Sequence, residues 1–161
     1  MFEKYAEVGI GYSFVQDNES FSQKNTIRGL HFQCGNHAQG KLVRVITGKI
    51  IDYAVDIRHG SPTFGKYVSA ELSGDNHNQL WIPPGFAHGF EVLEDNTIVQ
   101  YKCTKRYSKK HDRGIIYNDP DINICWETKD PILSEKDKTH LKLRNMDIYF
   151  EYKLEKDNTC N

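Results

Sequence analysis

No apolar run in this chain approaches the ~20 residues needed to cross a bilayer, so the sequence offers no helical membrane span. Nor does Met1-Phe2-Glu3-Lys4-Tyr5 open a signal-peptide pattern, and the cytoplasm is the expected compartment. Neither sign of charge dominates. With 21 basic against 22 acidic residues and a net charge of −1, there is no global field to draw nucleic acid, and basic side chains matter only where the fold gathers them. Cysteine is sparse and scattered at Cys34, Cys103, Cys125 and Cys160, without C-x-x-C spacing. That excludes a zinc knuckle or a disulfide framework and leaves free, mostly structural thiols. Helical periodicity is scarce too. It is credible only around Phe2 to Val8 and after Ser134, an N-cap candidate with Asp137 three residues later.

Strand signal, by contrast, is abundant. Lys41 to Arg58 alternates in part, with Val43, Val45, Ile50, Val55 and Ile57 as β-branched residues and Thr47-Gly48-Lys49 as a turn between two strands. Gly60-Ser61-Pro62 and Ser73-Gly74-Asp75-Asn76 punctuate the next stretch, Lys66 to Leu72 alternates again, and Trp81-Ile82, Gly89 to Leu93 and Thr97 to Thr104 add further strands. Short strands at regular spacing predict an all-β antiparallel sandwich or barrel with a few short peripheral helices. There are no repeats, low-complexity stretches or linkers. Residues 1–161 read as one domain, long enough to bury a core, with a polar tail from about Glu155 expected to be mobile.

Three blocks carry chemistry. Arg28-Gly29-Leu30-His31-Phe32-Gln33 with Gly40-Lys41-Leu42-Val43-Arg44 places a histidine, a lysine and two arginines on neighbouring strands. Gln79-Leu80-Trp81-Ile82-Pro83-Pro84-Gly85-Phe86-Ala87-His88 adds a histidine after a Pro-Gly turn, and Tyr101-Lys102-Cys103-Thr104 adds a phenol. A histidine titrating near neutral pH can take a proton from carbon beside a carbonyl, and an ammonium beside the carbonyl oxygen stabilises the resulting enolate. An isolated histidine in an apolar strand is usually a core residue satisfied by backbone. Arg28 and Lys41 argue against that for His31, because a core does not gather three such side chains without an anionic ligand. A metal site needs three or four ligands converging on one cation, and Gln33, not a second histidine, stands two residues after His31, so no metal is expected; proton transfer by base and acid needs no cofactor. His37, His59, His77, His111 and His140 fall in polar turns or near the tail and read as solvated surface.

Taken in order, these blocks resemble the dTDP-4-dehydrorhamnose 3,5-epimerase family, enzymes of the cupin (jelly-roll) fold. The likeness runs from Phe14-Val15-Gln16-Asp17-Asn18 through Asp52-Tyr53-Ala54-Val55-Asp56-Ile57-Arg58 and Gly60-Ser61-Pro62-Thr63-Phe64-Gly65 to Tyr117-Asn118-Asp119-Pro120 and Leu133-Ser134-Glu135-Lys136-Asp137. The resemblance implies inversion of C3, C5 or both in a nucleotide-linked 4-keto-6-deoxy sugar, in deoxysugar biosynthesis for surface polysaccharide. It implies His31 as base, Tyr101 as acid, Lys41 at the enolate oxygen and Asp137 orienting His31. Asp52, a charged residue within a strand, competes for that orienting role. Gln16, Asn18, Arg28, His88, Asp112 and Lys136 are implied as substrate contacts, with guanidinium suited to bidentate binding of phosphate, and Tyr107 as the aromatic against the base.

Without the resemblance, Tyr101 reads as an aromatic filling the barrel, Tyr107 as a rim tyrosine and Asp137 as a helix-dipole partner. Related readings are a C3-only epimerase, a 3,4-ketoisomerase, action on a GDP-linked sugar, or a non-catalytic nucleotide-sugar-binding cupin. The family opens with an Arg-Gly-x-Phe strand ahead of a stretch like Phe2-Glu3-Lys4-Tyr5, and that arm is expected to be missing here. A homodimer is the implied assembly, with an open sheet edge otherwise left unpaired. The segment after Leu143, including Asp147-Ile148-Tyr149-Phe150-Glu151-Tyr152, has no functional reading.

Overall fold

The computed structural model describes residues 2–153; Cys160 and the tail from Glu155, expected to be mobile, lie outside the described residues. After a short helix α1 (Phe2–Glu7) come nine strands: β1 (Gln16–Ser22), β2 (Ile27–Gln33), β3 (Lys41–Thr47), β4 (Lys49–Asp56), β5 (Tyr67–Ser73), β6 (Gln79–Ile82), β7 (Phe86–Val92), β8 (Thr97–Cys103) and β9 (Asp112–Gly114). They form two antiparallel sheets, ordered β1-β8-β3-β6 and β5-β4-β7-β2-β9. This is the antiparallel sandwich barrel that the strand spacing predicts. The helix around Phe2 to Val8 is present. The one after Ser134 is not: residues 134–138 form a turn.

The Thr47-Gly48-Lys49 turn has an unexpected consequence. β3 and β4 do not pair with each other; β3 belongs to the four-stranded sheet and β4 to the five-stranded one, so the turn carries the chain from one layer to the other. Gly48 takes φ 80°, and a Cβ there would lie 2.2 Å from Thr97 Oγ1. The corner is therefore closed to any larger residue.

Alternation along β4 explains how one sheet serves two cores. Ile50 and Ala54 point between the sheets to join Val43, Val45, Leu72, Ile82, Phe90, Val92 and Val99. Tyr53 and Val55 point the other way and join Leu30, Phe32, Ile115, Ile122, Ile124 and Leu143. The five-stranded sheet is thus covered on both faces, inside by its partner sheet and outside by the chain after β9.

That covering chain is pinned by buried carboxylates. Glu91 accepts hydrogen bonds from Tyr53 Oη (2.6 Å) and the backbone N–H groups of Glu127 and Thr128. Asp119, in the Tyr117-Asn118-Asp119-Pro120 motif, accepts from the N–H groups of Asp121, Ile122 and Leu143. Asp56, in Asp56-Ile57-Arg58, holds its loop by accepting from Arg58, Ser61 and Thr63. These donors outweigh burial and keep the Asp56 carboxyl well below the usual range. The segment that had no functional reading acquires a structural one: Tyr149 and Phe150 rest on Phe32, with ring centroids 5.6 and 6.0 Å away. Phe150 O and Tyr152 N bond to the backbone of His59. The segment seals the outer face directly behind Phe32, the residue after His31.

Candidate active site

β2 alternates like β4, so with Leu30 and Phe32 turned outward, His31 faces the barrel interior. Its aim depends on an irregularity. The pairing of β2 with β7 shifts register between Arg28 and His31, where Gly29 adopts φ 138° and lies so close to β7 that a Cβ would sit 2.5 Å from the Gly89 Cα. A bulge beside a functional residue is a common way to re-aim a side chain. Across the interior, the four-stranded sheet contributes Lys41 from β3 and Tyr101 from β8. Lys41 Nζ donates to the His31 carbonyl (3.4 Å) and lies 6.0 Å from the Tyr101 ring. Two adjoining hollows share His31, Lys41 and Tyr101. Gln16, Asn18, Tyr107, Asp112 and Lys136 line one, and Arg28 and His88 line the other.

Each histidine of the interior has its own carboxylate, which resolves the rivalry between Asp137 and Asp52. His31 Nε2 bonds Asp137 Oδ1 at 2.5 Å, while His88 Nε2 bonds Asp52 Oδ1 at 2.6 Å, buried between β7 and β4. Ser134 holds Asp137 without a helix. Its Oγ donates to Asp137 Oδ2 (2.8 Å) and accepts from the Asp137 N–H (3.1 Å). So the capping pair seen in sequence exists as a turn, and it serves a carboxylate.

The groups are tuned apart. Burial pushes the His31 pKa below its ordinary value despite the Asp137 hydrogen bond and charge, with the Lys41 and Lys136 charges acting in the same direction as burial. Burial pushes Tyr101 up, and the Cys103 thiol adds to this. Burial also lowers Lys41. Asp137 is buried, which by itself favours the neutral acid, yet the neighbouring His140 imidazole and the hydrogen bonds from His31 and Ser134 hold it well below the usual carboxylate range. At neutral pH this leaves a neutral imidazole facing a protonated phenol, with Nδ1 as the His31 nitrogen not committed to Asp137.

The outer contacts form their own lattice. Gln16 Nε2 donates to Asn18 Oδ1 (2.8 Å), and Gln16 Oε1 accepts the Tyr107 N–H (2.8 Å). Tyr107 donates to Asp112, which is also ion-paired with Lys136. Arg28 donates to Ser22 Oγ (3.1 Å) and Phe21 O. Gln33, in the place of a second metal-binding histidine, is buried and donates to the His37 and Arg106 carbonyls while accepting the Ser108 N–H.

The expectation for His140 is overturned. It is not solvated surface: its side chain is 11 % exposed, its Nε2 lies 3.6 Å from Asp137 Oδ1, and its ring centroid is 5.4 Å from that of His31. Among the described residues, His31, Asp137 and His140 are the one trio of such donors that converges. Two ligands of one zinc ion stand roughly 3.3 Å apart at tetrahedral angles. His31 Nε2 and Asp137 Oδ1 stand closer than that, at hydrogen-bond distance, as the two members of an acid–base dyad.

Fold and site together define a β-barrel isomerase of the acid–base kind, with two His–carboxylate pairs and a phenol around one interior. A family model described as dTDP-4-dehydrorhamnose 3,5-epimerase matches residues 1–145, and the chain belongs to that family. It is 51% identical over 142 residues to the dTDP-4-dehydrorhamnose 3,5-epimerase of Shigella flexneri, covering 88% of this chain and 78% of that protein. It is 52% identical over 149 residues to that of Sinorhizobium fredii, covering 91% and 74%. Among solved structures, it superposes with a TM-score of 0.91 and 46% identity on the dTDP-6-deoxy-D-glucose-3,5-epimerase RmlC of Legionella pneumophila in complex with dTDP-4-keto-L-rhamnose, covering 96% of this chain and 84% of that one.

Proposed function

We propose that this protein inverts C3 and C5 of a dTDP-linked 4-keto-6-deoxy sugar without a cofactor. The observation that carries the reading is the His31–Asp137 dyad opening into hollows that His31 lines together with Lys41 and Tyr101. The C4 carbonyl acidifies the neighbouring C–H bonds. His31 Nδ1 takes the proton while Asp137 holds the other ring nitrogen and stabilises the imidazolium. The Lys41 ammonium, its proton loosened by burial, meets the enolate oxygen. Tyr101, whose proton burial retains, delivers it to the opposite face, so the centre inverts. Groups whose pKa values are pushed apart in one cavity divide naturally into acid and base. A sugar that turns within the site presents C3 and then C5 to the same pair.

The substrate contacts of this reading are Arg28 for the diphosphate, Gln16, Asn18, Asp112 and Lys136 around it, Tyr107 for the base, and His88 beside the sugar. Names of relatives sharing about half of their residues with this chain support dTDP over GDP and double inversion over single. Incubation with dTDP-4-keto-6-deoxyglucose in deuterated water tests the reading: deuterium enters at both C3 and C5. Label at C3 alone would make the protein a 3-epimerase, and no label would leave only binding.

The assembly we infer is a homodimer. Among the described residues, β1 ends one sheet with its outer backbone edge unpaired and Phe21 60% exposed, a surface that a second chain would cover. Light scattering at micromolar protein is expected to give twice the mass of one chain; a stable monomer would count against it.

A further inference from the structure

His140 lies in a place made for it. Gly114 of β9 pairs with His31 of β2, and a Cβ on Gly114 would fall 2.4 Å from His140 Nε2 and 2.5 Å from its Cε1. Gly114 does not carry a positive φ, so its missing side chain matters here as space, and the space is filled by the His140 imidazole. That imidazole is only slightly exposed, and among the described residues its Nε2 has no hydrogen-bond partner within ordinary distance. The nearest acceptor in the direction of Asp137 is Oδ1, at 3.6 Å, the same oxygen that holds His31 Nε2 at 2.5 Å. Ser134 occupies the other oxygen.

We propose that His140 is a positioning residue that divides the Asp137 carboxylate between two imidazoles and thereby sets the basicity of His31. This deepens the epimerase reading and rests on it for its catalytic meaning. A carboxylate charge shared among several donors stabilises each less. His31, with only part of Asp137, gains less from taking a proton and stays a neutral base at lower pH. The position 3.6 Å from Oδ1 is also suited to the reaction. As His31 becomes cationic and draws on Asp137, His140 stands as the donor that keeps the carboxylate ionised.

Other charges bear on His31 and must stay fixed in any test. Lys136 approaches from the 134–140 segment and Lys41 from β3, and both oppose its protonation. His88 of β7 is its cross-strand neighbour, Tyr101 of β8 and Arg28 of β2 line the same hollow, and Asp112 of β9 lines the adjoining one.

The test reads His31 directly. The Cε1 proton of His31, assigned by its loss in His31→Asn, is followed by NMR through pH in the full chain. His140→Leu, which fills the berth without a donor, is expected to raise the His31 pKa by about half to one unit. His140→Gln, which keeps an N–H, should return most of the shift, and the acid limb of kcat/KM should move in step. Should leucine not be accommodated, His140→Ala replaces it in the comparison. An unmoved His31 pKa in the donorless variant would overturn the proposal. Equal shifts in the leucine and glutamine variants would do so too, by assigning the effect to packing. Absence of turnover in the unsubstituted protein would sink the epimerase reading instead, leaving the titration result to stand by itself.

Discussion

Replacing His31 with asparagine is expected to lower both turnover and deuterium exchange at C3 by at least about a hundredfold, the usual worth of a general base. His31 Nε2 is tied to Asp137 at 2.5 Å, so the imidazole is fixed in orientation and in tautomer. Burial keeps its pKa below the ordinary histidine value, so the neutral base persists through neutral pH. Activity requires the unprotonated ring; it therefore falls as acidity converts the ring to imidazolium, and does so below pH 6.5, the ordinary value for histidine. Asparagine retains polarity but cannot accept a proton at any of these pH values. Binding of dTDP should change by less than about twofold, because the His31 imidazole is bonded to Asp137 and not to the groups assigned to the diphosphate. Exchange that survives unchanged in His31→Asn would remove His31 from the mechanism, and a collapse of dTDP binding would point to loss of the fold.

Much of this site is legible in the order and type of residues, and the remainder has tertiary causes. The motifs around His31, Lys41, His88 and Tyr101 place them on strands, and alternation puts Val99 and Tyr101 on one face, as the barrel has them. β1 leaves no such mark because its inward residues Gln16, Asn18 and Ser20 are polar, lining the hollow where apolar alternation would otherwise reveal a strand. β9, with three residues, is too short to leave a period. The turn at Gly48 resembles a hairpin in sequence, since local chemistry specifies the reversal but not which sheet each arm joins. Two aspartates compete for one histidine until the register of β4 with β7 gives Asp52 to His88.

His140 shows the same limit most sharply. Lys138-Thr139-His140 reads as polar surface, and only the space at Gly114, on a distant strand, draws that imidazole inward. A glycine in a strand is a signal that something approaches closely. The sequence does not say what approaches.

Tyr101→Phe separates inversion from exchange. The hydroxyl is the group that burial keeps protonated, and Tyr101 lines the same hollows as His31 and Lys41 from the opposite sheet. Phenylalanine keeps the ring and its packing on Val99 and its neighbours, so the fold is retained and only the proton source is lost. His31 still abstracts the proton, and Lys41 still meets the enolate oxygen. The imidazolium then returns a proton, exchanged with solvent, to the face from which the first was taken. Deuterium therefore enters at C3 while the configuration stays as it was. Inversion is expected to fall by about a hundredfold or more, and exchange by less than about tenfold. NMR of the sugar in deuterated water reads both in one sample, label from the loss of the C3 proton signal and configuration from the product's coupling constants. An equal fall in both would mean that the phenol is needed before the enolate forms, and that the two residues do not divide the work between the faces.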